Sequence, residues 1–198
     1  MTNRTILVFP ILVLLFFVSC DKEDTRMPDF LVKFATVIKK ESSITIQLDN
    51  GNILTPEPPY YNLSIEDSSR VIINYTPLEN SFIKINSIQQ IFLGGIEDKN
   101  IDTLNLNSAP LKKVVVDKQG DYLNLQFLVD YHSKPHSVSL FRDTNSQDKT
   151  NLYLSYSREN DPPGAPTKMY VSFKLGALQN NKISIFIETD KGERRYDR

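Results

Sequence analysis

Residues 121–131, Asp121-Tyr122-Leu123-Asn124-Leu125-Gln126-Phe127-Leu128-Val129-Asp130-Tyr131, carry the reading that decides the fold class. Leu123, Leu125, Phe127 and Val129 recur at every second position, so their side chains fall on one face of an extended strand. A helix would scatter them around its axis. The segments that follow repeat the pattern: Val138 and Leu140; Leu152, Leu154 and Tyr156; Met169, Val171, Phe173 and Leu175; Ile183, Ile185 and Ile187. No amphipathic helix interrupts them. About five to seven strands at this spacing predict an antiparallel β-sandwich over residues 111–198. Asp190-Lys191-Gly192 then supplies a last hairpin turn into Glu193–Tyr196, because glycine accepts the positive φ that such turns need.

Working toward the amino terminus, the same period continues. Leu31, Ala35 and Val37 share one face of a first strand, with Val32, Phe34 and Ile38 on the other. Ile44, Ile46 and Leu48 alternate with Thr45 and Gln47, and Asp49-Asn50-Gly51 makes the next turn. Val71, Ile73 and Tyr75 form another strand face. A long segment runs from Phe82 through Ile83, Ile85 and Ile88 to Leu93, and its apolar positions change phase near Ile88, which predicts a bulge or a bend. Thr55-Pro56-Glu57-Pro58-Pro59-Tyr60-Tyr61 lies between these strands. Its prolines forbid a helix and favour an extended loop. Gly94-Gly95 closes this first block, so residues 29–95 read as one domain. The polar stretch 96–110 reads as a linker with room for one short strand.

The amino-terminal end has a different composition. Residues 1–19 contain Arg4, an apolar run from Ile6 to Val18 and then Ser19, the three parts of a secretory signal. A membrane-spanning helix needs about 20 apolar residues, more than this run supplies. Phe17-Val18-Ser19-Cys20 has the form of a lipobox, and Cys20 is the only cysteine among 198 residues. The alternatives are an ordinary signal with a chance cysteine and an uncleaved anchor. On the lipobox reading Cys20 becomes the acylated first residue, unavailable for a disulfide, and stability rests on packing. Two or more acyl chains, at roughly 0.8 kcal/mol per buried CH₂, hold a chain stably on a membrane. Residues 20–28 then form a solvated tether. Asp21, Lys22, Glu23 and Asp24 resemble the acidic export signals of surface lipoproteins, with Lys22 interrupting the run. An outer-membrane lipoprotein is expected, with cell-surface exposure as an open extension.

Several phrases stand in a particular order. They are the lipobox Cys20 with its acidic neighbours, Ala35-Thr36-Val37, Gln47-Leu48-Asp49-Asn50-Gly51, Arg70-Val71-Ile72-Ile73-Asn74-Tyr75-Thr76, and Ile83-Lys84-Ile85-Asn86 leading to Ile91. Asp121-Tyr122-Leu123-Asn124-Leu125-Gln126-Phe127 and Tyr170-Val171-Ser172-Phe173 follow in the second half. Together they resemble the NigD-like lipoproteins of anaerobic Gram-negative bacteria. The resemblance implies an all-β chain, with an amino-terminal OB-like five-stranded barrel followed by a β-sandwich. The Pro-rich loop departs from the helix that often lies between the third and fourth strands of an OB-fold. No catalytic chemistry comes with the resemblance. The family's name derives from a bacteriocin gene cluster, which leaves an immunity-like role as one alternative.

The candidate sites are few. His132 and His136, the only histidines, lie four apart, and with Asp130 they could supply three metal ligands. Exposed turn residues are the simpler account, and neither a metal nor a cofactor is expected. Asp161, ahead of Pro162-Pro163-Gly164, reads as the start of a turn. No nucleophile is paired with a base and an orienting acid, and no two carboxylates are marked as an acid–base pair; the chain is not read as an enzyme. A net charge of −1 gives no electrostatic footprint for nucleic acid, although Lys33, Lys39 and Lys40 cluster near the first strand. Tyr60, Tyr61, Tyr131, Tyr153 and Tyr170 could face a glycan, but the chain has no tryptophan. Tyr60 and Tyr61, with Pro162 and Pro163 in the loop 160–167, are the expected partner contacts, since rigid loops on a β-scaffold lose little entropy on docking. The expectation is a non-catalytic, lipid-anchored envelope protein that binds an envelope or extracellular partner, protein before glycan. The alternatives are a structural, protective or immunity-like lipoprotein without a soluble ligand, and a glycan-binding module.

Overall fold

The computed structural model describes residues 29–41, 43–58, 65–100 and 108–198. In the first half, β1 (Leu31–Lys40), β2 (Ser43–Leu48), β3 (Ile53–Pro56), β4 (Arg70–Pro77) and β5 (Phe82–Gln90) close into a barrel in the order β1-β2-β3-β5-β4. The barrel closes because β3 meets β5 in parallel while β4 pairs with both β5 and β1. Ala35, Val37, Ile46, Val71, Ile73 and Ile83 fill its interior. Leu31 shares the parity of Ala35 and Val37 yet is 38% exposed, because β1 runs past the packed part of the barrel. Of the expected bulge or bend, the strand has a bulge, two residues before Ile88: Asn74 pairs with Ser87 and Tyr75 with Ile85, so Asn86 is the extra residue. Its Nδ2 donates to Asn74 Oδ1 and Thr76 Oγ1, both at 3.1 Å, which occupies the amide at the break in the ladder.

The second half contains β6 (Phe92–Gly94), β7 (Ile96–Lys99), β8 (Lys112–Gln119), β9 (Tyr122–Tyr131), β10 (Ser137–Asp143), β11 (Asn151–Ser157), β12 (Ala165–Lys174), β13 (Ser184–Thr189) and β14 (Gly192–Asp197). One sheet has the order β14-β13-β11-β10-β7 and the other β6-β12-β9-β8. Between them lies a core that includes Leu123, Leu125, Phe127, Leu140, Leu152, Phe173 and Ile185, the residues that alternation placed inward.

The sandwich is mixed rather than purely antiparallel. β6 runs parallel to β12, β7 to β10 and β11 to β13. Period-two alternation reports which face a residue takes and is blind to strand direction. For β11 and β13 the cause is plain: β12, the strand between them in sequence, belongs to the other sheet, so the chain returns along its earlier heading. β6 and β7 also change the expected boundary. They bring residues 92–99 into the sandwich, one strand on each sheet, so the expected linker at 96–110 gives up its first four residues to a strand.

A buried polar centre joins the two domains. Arg70 of β4, 1% exposed, donates from both terminal nitrogens to the Asp49 carboxylate at 2.6 and 2.9 Å. It also donates to Thr36 Oγ1 at 3.0 Å on the barrel and to Asn124 Oδ1 at 3.0 Å on the sandwich. Asn124 Nδ2 returns a hydrogen bond to Asp49 at 2.6 Å, and Ser172 Oγ donates to Asn124 Oδ1 at 2.7 Å. The guanidinium lies 3.8 Å from the centroid of the Tyr122 ring. Thr36 is the cross-strand neighbour of Arg70, and Ser172 of Asn124, so one polar pair from each domain faces the other. Gly120 completes the fit, since a Cβ there would stand 2.7 Å from the Asp49 carbonyl oxygen.

Candidate functional site

Two loops at one end of the sandwich are tied together by Asp161. Its carboxylate accepts the backbone N–H groups of His132, Ser133 and Lys134 at 2.8, 3.1 and 3.0 Å. His136 Nε2 donates to it as well, at 3.0 Å. A carboxylate can only accept, so in the neutral ring Nε2 carries the hydrogen and Nδ1 takes the hydroxyl of Tyr156. Burial alone would raise the Asp161 carboxyl, but the three backbone donors and His136 outweigh it and hold the group well below the usual carboxylate range. Burial pushes the Tyr156 phenol up to about 12. A phenol at that value keeps its hydrogen at pH 7, which completes the Asp161–His136–Tyr156 chain. It fixes the shape of what lies beside it.

Beside it is a cleft of about 740 Å³. Its walls are the edges of two strands that their neighbours cover only in part. β6 pairs with Val171–Phe173 of β12, leaving Thr167–Tyr170 without a strand on that side among the described residues. β7 pairs with Leu140–Asp143 of β10, leaving Ser137–Ser139 open in the same way. Tyr131, His136 and Met169 line the loop end, and Gln89, Ile91 and Phe92 line the end nearest the barrel. Apolar walls with a few convergent polar groups, in a volume of several hundred Å³, suit a bound ligand or segment.

The expected site residues fall in different places. Cys20, Asp21, Lys22, Glu23, Asp24, Tyr60 and Tyr61 lie outside the described residues. Pro162 and Pro163 are exposed on the loop that follows Asp161, near the cleft but outside its lining. Gly164, just after them, is held so close to Tyr131 that a Cβ would stand 2.0 Å from its carbonyl oxygen. The histidine pair separates: the His132 ring is exposed and meets Ser133 Oγ at 2.9 Å, whereas the His136 side chain is fully buried. The reading of both as exposed turn residues is therefore corrected for His136. Asp130 faces Lys112 at 3.0 Å, so the three proposed ligands do not converge. Asp161 does more than begin a turn, since it gathers a loop nearly thirty residues away in sequence. Tyr170 packs edge-on against Phe34, and Tyr153 stacks on Phe186 with centroids 5.0 Å apart.

Comparison with protein families matches residues 34–91 to the NigD-like N-terminal OB domain and residues 96–197 to the NigD-like C-terminal β-sandwich domain. The chain belongs to the NigD-like family. Comparison with curated proteins returns no match. Solved structures share the fold of this NigD-like chain. A NigD-like immunity protein from Bacteroides caccae is 22% identical, with a TM-score of 0.62, over 86% of this chain and 92% of that one. A protein of unknown function from Bacteroides vulgatus is also 22% identical, with a TM-score of 0.71, over 86% and 90%. A candidate lipoprotein from Bacteroides fragilis is 13% identical, with a TM-score of 0.66, over 86% and 97%. At these identities the likeness carries the fold and not an activity. No helix among the described residues is long and apolar enough to cross a membrane.

Proposed function

We propose that this NigD-like protein is a non-catalytic, lipid-anchored envelope protein that takes an extended segment of a partner protein into the cleft between β10 and β12. The carrying observation is the pair of partly covered strand edges, Ser137–Ser139 and Thr167–Tyr170, facing one cleft. Backbone groups on such edges recognise another extended chain through main-chain hydrogen bonds, and alternate side-chain pockets add selectivity. Pro166 and Lys168 guard the outer part of the β12 edge against unspecific pairing, which limits the docked stretch to a few residues. Protein is favoured over glycan because Tyr153 and Tyr170 each spend part of their ring surface on another aromatic. The outward positions of β2 are Ser43, Thr45 and Gln47, where single-stranded nucleic acid would need cations and stacking rings. The lipid anchor rests on Cys20 and its lipobox, and the fold shared with a candidate lipoprotein supports it.

A photo-crosslinking residue placed at Thr167 or Val138, both in the cleft lining, should give discrete protein adducts in cells, while one at Ser155, on the outer sheet face, should not. Equal labelling at all three positions would exclude the cleft. Replacing Cys20 with serine should move the protein out of the membrane fraction. An immunity role is the special case in which the docked partner is a toxin polypeptide, a reading favoured by the fold shared with the B. caccae immunity protein. Loss of toxin resistance on deletion would select it.

A further inference from the structure

The opposite side of the sandwich carries a second cleft of different character. There the edge strands β8 and β14 come together and are tied at both ends. Leu111 N donates to Glu188 O and Asp190 N to Leu111 O, each at 3.1 Å, while Arg198 Nε donates to Val116 O at 3.0 Å. Between these ties a cleft of about 510 Å³ opens. Four cations line it, Lys113, Lys191, Arg194 and Arg195, against one carboxylate, Asp190. Arg195 is committed to Asp197 at 2.7 Å and to Ser184 at 2.9 Å. The other three make no ion pair or side-chain hydrogen bond among the described residues. For a chain of net charge −1 this is a local concentration of unspent positive charge.

The four cationic residues are exposed, and the backbone sets where each side chain starts from. Lys113 sits in a β-bulge, where the register jumps between Lys112 and Val115, with a φ of 49° that lysine rarely adopts. Arg194 is the cross-strand partner of Ile187, and Tyr196 of Ile185, both core residues. Arg194 and Tyr196 therefore lie on the side of β14 that faces the opposing sheet. Lys191 occupies the turn between β13 and β14. The half-buried Tyr196 ring and Val114 provide an apolar wall beside the three charges.

We propose that this cleft binds a phosphate monoester carried on a small polar scaffold, either a soluble phosphorylated saccharide or a lipid phosphate headgroup. A planar guanidinium offers a fork that matches phosphate oxygens, two ammonium groups add point charge, and the ring wall accepts the face of the scaffold. The mature chain, labelled with ¹⁵N, is titrated with inorganic phosphate, inorganic sulfate, glucose 1-phosphate and phosphatidylcholine vesicles with and without phosphatidic acid. Saturable shifts at Lys191, Gly192, Arg194 and Tyr196 are expected with the phosphate probes, tighter for phosphate than for sulfate, and weaker as salt is raised. Selective response to glucose 1-phosphate identifies the soluble source, and selective response to phosphatidic acid identifies the headgroup. Lys191→Gln with Arg194→Gln should weaken binding at least tenfold. Lys113→Gly removes a charge and the backbone strain together, so it should bind more weakly while melting no lower, a combination that a purely structural role would not give. The absence of saturable shifts with every phosphate probe, or equal affinity in these variants, overturns the proposal.

Discussion

Asp49 and Asp161 both place a carboxylate out of reach of water, and the surroundings answer them differently. Asp49 meets a guanidinium, with Asn124 beside it, and its partners come from both domains. Asp161 meets three successive backbone N–H groups and a histidine, all within one end of the sandwich. The first centre sets how two bodies sit together, because Arg70 is satisfied only when Thr36, Asp49, Asn124 and Ser172 converge. The second holds one loop against another and needs no domain contact. A chain without a disulfide thus uses one polar centre to fix domain orientation and another to fix loop shape.

Removing one partner of the first centre should have the largest effect. Arg70→Met leaves Asp49 buried beside Asn124 with no counter-charge, and a loss of about 3–5 kcal/mol is expected in urea unfolding. Small-angle scattering should show a wider spread of domain orientations. Adding Asp49→Leu to that variant should recover much of the loss, because an apolar pair carries no stranded charge. If it recovers nothing, Arg70 acts through its packing on Tyr122 instead.

Asp161→Asn should come next, lowering Tm by more than about 5 °C. Its pH dependence separates the two centres. The folded carboxyl titrates below its unfolded value, so its contribution is present above about pH 4 and is lost as pH falls through the folded value. The Asn variant should show a flatter acid limb in thermal melts, and an unchanged limb would mean that other carboxylates dominate acid unfolding. Tyr156→Phe removes one hydroxyl from the same chain and should cost about 1 kcal/mol by urea unfolding. Lys112→Gln breaks a partly exposed pair with Asp130 and should cost less than about 1 kcal/mol, the smallest effect of the set.

Alternation in Leu123–Val129 and its counterparts made the strands and the core legible, because burial on one face leaves a direct trace in residue order. Strand direction left none. The direction of β13 relative to β11 follows from β12 crossing to the other sheet, a fact of topology. The phase change near Ile88 did report the bulge at Asn86, since an extra residue must shift the inward set. Arg70, Asn124 and Ser172 were hidden in plain view: they occupy outward positions of their strands, where polar residues normally meet water. An arginine opening the otherwise apolar run Val71-Ile72-Ile73 was the one available hint. Asp161 looked like a turn residue because its partners, residues 132–134, are brought to it only by the pairing of β9 with β12. The cleft between β10 and β12 was equally illegible, since an incompletely covered edge depends on where β6 and β7 stop.

The split of the chain at Gly95, with β6 on one sheet and β7 on the other, also has a mechanical meaning. A load that reaches the sandwich from the barrel arrives along one short run of backbone, meets the β6 ladder first and, past Gly95, the β7 ladder on the other sheet. Detaching the domains then means breaking the Arg70 centre and stripping the β6 ladder before any load reaches β7. Pulled from its amino-terminal side, the molecule should resist as one lever instead of giving way as two beads on a string.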